Sequence, residues 1–110
     1  MKHENLTNKV MRLMLQKQKI LLNQLENVTM VEETDDVGYF VSFSFPDSKP
    51  TMLNKKIELP NVVGKNKNGE YVVGFVLFIK NGLIDCLEGY TFGEQKWPDS
   101  DEDISLEIEQ

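Results

Sequence analysis

Tyr71-Val72-Val73-Gly74-Phe75-Val76-Leu77-Phe78-Ile79-Lys80-Asn81-Gly82-Leu83-Ile84-Asp85-Cys86-Leu87-Glu88-Gly89-Tyr90-Thr91-Phe92 decides the fold of this 110-residue chain. Asn81-Gly82 is the pair that a two-residue type I′ turn prefers, because both central positions need positive φ. It predicts an antiparallel hairpin in which Tyr71 to Ile79 runs out and Leu83 to Phe92 returns. Apart from Gly74 the outgoing run is apolar on both faces. Such a run belongs in the middle of a sheet, covered on two sides by the chain itself, or by a helix on one side and a partner on the other.

The turn also implies a register. Lys80 is expected opposite Leu83, Ile79 opposite Ile84, Leu77 opposite Cys86, Phe75 opposite Glu88 and Val73 opposite Tyr90. On the other face Phe78 meets Asp85, Val76 meets Leu87 and Gly74 meets Gly89. Two facing glycines mark either a bulge and strong twist or a groove where another backbone or a ligand comes close. The same register sets Glu88 among Phe75, Cys86 and Tyr90, which makes it a candidate functional carboxylate.

Working outward, residues 6–28 repeat apolar side chains at three- and four-residue spacing: Leu6, Val10, Leu13, Met14, Ile20, Leu21, Leu25 and Val28. This predicts one long amphipathic helix. Met11, Leu15 and Leu22 widen its apolar arc beyond the roughly 100° needed to pack on one surface. Either the sheet curls around it or a second chain covers the excess. The period then changes to two. Val28 to Glu33 and Tyr39 to Phe45 read as strands joined by a turn at Asp35-Asp36-Val37-Gly38, and Pro46 to Pro50 ends the second. A short strand is expected at Ile57 to Leu59, a polar turn from Gly64 to Gly69, and an acidic edge strand over Ile104 to Glu109. The fold class is α+β: a single domain, residues 1–110, with a helix over about 6–28, a sheet of about four to six antiparallel strands over about 29–92, and an acidic segment over 94–110.

Composition narrows function mostly by exclusion. The net charge of −6 is unevenly spread: residues 1–27 carry +3, residues 28–93 carry −3 and residues 94–110 carry −6. Too few basic side chains lie together to replace phosphate counterions, so nucleic acid is not an expected partner. No apolar signal core and no run of 18 apolar residues occurs, so neither membrane insertion nor export is expected, and the chain reads as cytoplasmic. The single Cys86 cannot form an intramolecular disulfide and reads as a buried strand thiol.

Catalytic signatures are equally thin. His3 is the only histidine and lies where a chain end is usually mobile, which removes the base that a Ser, Cys or Thr nucleophile needs. Asp99, Asp101 and Asp103 have the spacing of the first calcium-loop ligands, but Ile104 stands where that loop requires glycine and Gln110 where it requires glutamate. One Cys and one His cannot build a zinc site. No metal, cofactor or catalytic residue is assigned.

The stretch Gly74 to Glu94, closing on Trp97-Pro98, resembles the C-terminal hairpin of a group of small bacterial proteins, some of them similar to immunity proteins that accompany polymorphic toxins. Leu87-Glu88-Gly89-Tyr90 is the most specific part of the likeness, which spans about a quarter of the chain. It implies a protein-binding module, an immunity-type inhibitor that neutralises a partner through its acidic C-terminal surface. Carboxylates around an aromatic anchor suit a basic partner such as a toxin or nuclease domain. The expected contact residues are Glu88, Tyr90, Glu94, Trp97, Asp99, Asp101, Glu102 and Asp103. The alternatives are a scaffolding homodimer through the wide helix face and a small enzyme built on Glu88 and Asp85.

Overall fold

A computed structural model describes residues 1–47, 49–93 and 95–109. It is an α+β fold in which two helices pack on one face of a six-stranded antiparallel sheet. The helices are α1 (Glu4–Leu15) and α2 (Lys19–Gln24), followed by a 3₁₀ turn at Leu25–Asn27. The strands are β1 (Thr29–Asp35), β2 (Gly38–Ser44), β3 (Asn61–Lys65), β4 (Tyr71–Lys80), β5 (Leu83–Thr91) and β6 (Ser105–Glu109). Their order across the sheet is β1-β2-β5-β4-β3-β6, which puts the Asn81-Gly82 hairpin at the centre and the acidic β6 at an edge.

The single long helix expected over residues 6–28 is two short ones. Leu6, Thr7, Val10, Met11, Met14 and Leu15 form the buried stripe of α1, and its next turn would present Lys17 and Gln18 to the core. Burying those polar side chains without partners is costly. The backbone leaves the helix at Gln18 (φ −121°, ψ 77°) and restarts as α2, which turns Leu21 and Gln24 inward. Most of the wide apolar arc is accounted for inside the chain: Met11, Leu15 and Leu21 are fully buried, Leu22 packs against the core, and Ile20 stays exposed.

Gln24 holds this arrangement together. Its side-chain amide donates to the Thr51 and Gly82 carbonyls, both at 2.9 Å, and its carbonyl oxygen accepts the Ile84 N–H at 2.9 Å. One buried side chain thus ties α2 to the hairpin tip and to the long β2–β3 connection, whose Leu53, Ile57 and Leu59 pack on the core. Ile57 to Leu59 is not a strand. The chain joins the sheet only after Pro60, and β3 takes in Gly64 and Lys65, so that the turn begins at Asn66, whose side-chain oxygen accepts the Asn68 and Glu70 N–H groups.

The hairpin turn is as expected, with Asn81 at φ 54° and Gly82 at φ 77°, and so are its first two pairs, Lys80 with Leu83 and Ile79 with Ile84. Beyond them the register shifts by one. Asp85 is an extra residue on β5, so Phe78 meets Cys86, Leu77 meets Leu87, Val76 meets Glu88, Phe75 meets Gly89, Gly74 meets Tyr90 and Val73 meets Thr91. The cause is core packing. Ile84 and Leu87 are both buried yet stand three residues apart, an odd spacing that a regular strand would send to opposite faces. The bulge turns both inward and places Cys86 and Glu88 on the opposite face.

Gly74 and Gly89 therefore do not face each other, and no bare backbone groove is left. A side chain at Gly74 would lie 2.6 Å from the Tyr90 ring, which covers it from the helix-free side. One at Gly89 would lie 2.7 Å from the Tyr39 ring on the core side. Each glycine makes room for one tyrosine.

Candidate partner-binding face

The helices and the β2–β3 connection close one face of the sheet around Tyr39, Val41, Phe43, Val62, Val73, Phe75 and Leu87. Strand alternation sends the intervening residues to the other face, where no helix lies. Three rows cross it in register. Asp35, Gly38, Tyr90, Gly74, Val63 and Glu107 form the first; Glu33, Phe40, Glu88 and Val76 the second, with Asn61 and Glu109 paired beyond them at the β3–β6 edge; Val31, Ser42, Cys86 and Phe78 the third. The middle of this surface is apolar and aromatic. Phe40 is 44 % and Phe78 48 % exposed, although both stand on inner strands of the sheet. Tyr90 and Phe92 pack edge to face, 5.8 Å apart, beside them.

Carboxylates frame this centre on both sides: Glu33 and Asp35 from β1, Glu107 and Glu109 from β6. Glu88 stands inside the frame, directly between Phe40 and Val76. At the β6 edge Lys65 lies 3.4 Å from Glu107 and 4.7 Å over the Tyr71 ring, whose hydroxyl also donates to Glu107. The Tyr71 hydroxyl and, behind it, the Lys65 ammonium hold the Glu107 carboxyl below the usual range, so this rim stays ionised. Cys86 is half-buried here rather than in the core. Burial first, then Asp85 and Glu88, push its thiol up and keep it protonated at neutral pH.

The residues expected to form one acidic contact surface are divided by the fold. Glu88 and Tyr90 belong to the helix-free face. Trp97 and Asp101 belong to a cluster on the core side, at the end of the sheet away from the Asn81-Gly82 turn, with His3 at its centre. The His3 ring stacks on Tyr39 at 4.4 Å, and its Nδ1 lies 2.6 Å from Asp101 Oδ2. Trp97 donates its indole N–H to Asp101 Oδ1 at 3.0 Å and its backbone N–H to the Asp36 carbonyl. The Glu32 carboxylate accepts the Lys2 and His3 backbone N–H groups at 2.9 Å each. His3 is thus buried and held, contrary to the expectation of a mobile end, and Trp97 packs inward instead of standing out as an anchor. Asp103 pairs with Lys67 at 3.3 Å, Asp99 and Glu102 are exposed, and Glu94 lies outside the described residues.

The His3–Asp101 pair has the form of a general base with its orienting carboxylate, but the hydroxyl of this cluster, Thr7, donates to the Tyr39 oxygen at 3.1 Å. Loss of solvent raises the Tyr39 phenol well above its ordinary value, with Thr7 opposing and Asp101 and Glu32 adding to the rise. The cluster fastens the first residues of the chain to the segment before β6. Among the described residues no group of three metal-ligating side chains converges, and no helix is long and apolar enough to cross a membrane.

No family model, curated protein or solved structure matches the chain. The geometry of the face therefore carries the functional reading. Phe40 and Phe78 were missed as site residues because alternation alone does not say which face the helices take. For Phe78 the sequence does carry a signal, a strand apolar on both parities, whereas Phe40 stands in an alternating strand and has none.

Proposed function

We propose that the protein is a protein-binding module that acts by occupying a partner's surface, in the manner of an immunity-type inhibitor, and that it docks through the helix-free face of its sheet. The observation that carries this reading is the exposure of Phe40 and Phe78 on inner strands, beside Val76 and Tyr90, opposite a face that the chain's own helices close. Apolar area removed from water is worth about 25 cal/mol per Å², and contiguous aromatic patches rimmed by polar groups are how interfaces are built. The acidic C-terminal segment contributes its β6 edge, Glu107 and Glu109, while Trp97 and Asp101 support the fold behind it. A scaffolding homodimer through the helices draws less support, since Met11, Leu15 and Leu21 already pack against the chain's own sheet.

The test is affinity capture from an extract of the native cells with the unaltered protein and a Phe40→Asp/Phe78→Asp variant. Both positions face solvent, so the variant should keep its far-ultraviolet circular dichroism and thermal transition. We expect a protein retained by the unaltered chain and lost by the variant. Identical retention by both would refute the reading.

A further inference from the structure

We infer that the occupant of the helix-free face is a folded protein whose apolar patch is flanked by lysine or arginine, not a second copy of this chain, and that Glu88 is the charge on which recognition centres. This rests on the proposed docking face and adds the partner's chemistry. The face carries Glu33, Asp35, Glu88, Glu107 and Glu109 against two lysines, Lys65 and, at the hairpin end, Lys80. Lys65 and Glu107 engage each other, so the net negative charge of the frame comes from Glu33, Asp35, Glu88 and Glu109. The sign of the frame is what selects the partner.

Both rims have that sign. A second copy laid rim to rim sets carboxylates against carboxylates, an arrangement that is disfavoured, and sedimentation tests the rotations that would bring Lys80 to them. Nucleic acid is repelled by the same frame. Six strands spaced about 4.8 Å apart make the face about 24 Å wide. That is wider than an extended peptide covers and suits a folded surface with basic groups on two sides.

Glu88 differs from the rim because it is half-buried between Phe40 and Val76. A partner that covers Phe40 and Phe78 also takes water from this carboxylate, and an ionised carboxylate stripped of water needs a cation in its place. The partner must therefore bring a Lys or Arg to the centre of the patch, where contacts weigh most.

The experiment repeats capture from the native-cell extract at 50 and 300 mM salt, using the unaltered chain and its Phe78→Asp, Glu88→Gln and Glu88→Lys variants. Sedimentation of the purified chain at about 100 μM runs in parallel. The expected result is a basic protein lost with Phe78→Asp, recovered at least about tenfold less with Glu88→Lys and intermediately with Glu88→Gln, and weakened by salt, while the chain alone sediments as a monomer. A protein lost with Phe78→Asp but indifferent to Glu88→Lys and to salt would overturn the inference and leave the docking face standing. A dimer dissolved by Phe78→Asp would overturn it in favour of self-association. If no protein separates Phe78→Asp from the unaltered chain, the docking face itself is wrong and the inference falls with it.

Discussion

Replacing Gln24 by leucine, which is similar in size, isolates the contribution of one buried amide. Gln24 is 1 % exposed and makes three hydrogen bonds of 2.9 Å, to the Thr51 and Gly82 carbonyls and from the Ile84 N–H. The Gly82 carbonyl keeps a partner in the Leu53 N–H at 2.9 Å. The Thr51 carbonyl and the Ile84 N–H lose theirs; Thr51 is exposed and its carbonyl can turn to water, whereas Ile84 is buried. A backbone group stranded away from water costs about 1–3 kcal/mol, so Gln24→Leu, which strands the buried Ile84 N–H, should destabilise the fold by about 1–3 kcal/mol. Against a typical total of about 5–15 kcal/mol that is a large share. The assay is urea unfolding followed by circular dichroism, with the midpoint falling and the slope unchanged. Gln24→Glu keeps the acceptor for Ile84 but loses both donors and buries a charge, and it should be at least as damaging at neutral pH. A loss below about 1 kcal/mol for both variants would show that Gln24 does not hold the hairpin to α2 as described.

Three further outcomes follow from the same structure. Unfolded tyrosine ionises at its ordinary value of 10.0 and buried Tyr39 only well above it, so between those values the native state holds one more proton. Tyr39 should then make stability fall by about 1.4 kcal/mol per pH unit above pH 10, and Tyr39→Phe, though weaker at neutral pH because Thr7 loses its acceptor, should have an alkaline slope shallower by that amount, with Cys86 contributing to what remains. An unchanged slope would show that Tyr39 is not the group responsible. His3→Ala removes the stack on Tyr39 and one of the two donors to Asp101, and it should cost about 1.5–3 kcal/mol and shift the fluorescence of Trp97, the only tryptophan, to longer wavelength; a variant with native midpoint and emission would mean that the cluster does not fasten the first residues. With its thiol pushed up by burial, Cys86 should react with iodoacetamide at pH 8 several times more slowly than a free cysteine, and a rate matching the unfolded chain would count against its half-buried place on the sheet.

Much of the fold was legible because it rests on local rules. Asn81-Gly82 identified the central hairpin, Asp35-Asp36-Val37-Gly38 the first turn, and the alternation after Ile104 the acidic edge strand. What escaped was decided by packing at a distance. Nothing next to Asp85 in the sequence announces a bulge; the odd spacing of Ile84 and Leu87 becomes informative only once both are known to be buried. That single extra residue moved Glu88 from Phe75 to Val76, and with it the meaning of the face. The helix break at Lys17-Gln18 was legible in principle, since those are the polar residues that interrupt the buried stripe, but the apolar spacing resumed too soon after it to reveal the change of direction.

The candidate site divided in the same way. Glu88 and Tyr90 stand out in the sequence, and they lie on the face that the helices leave open. Trp97 and Asp101 read as surface groups in the sequence because an acidic stretch beside a tryptophan looks solvated. Their role depends on His3, some ninety-four residues earlier than Trp97, and no spacing in the chain connects them. Phe78 shows the opposite case: the double-sided apolar pattern of its strand points to a second apolar face, while the place of that face, and of Phe40 on it, needed the topology.

The most direct test of the binding face is oxidative footprinting of the protein alone and in complex with the captured partner. Phe40, Phe78 and Tyr90 should become about tenfold or more protected, with Trp97 unchanged because it is half-buried on the opposite side of the sheet. Protection confined to residues 97–103, with Phe40 and Phe78 oxidised as in the free protein, would contradict a binding face on the helix-free side.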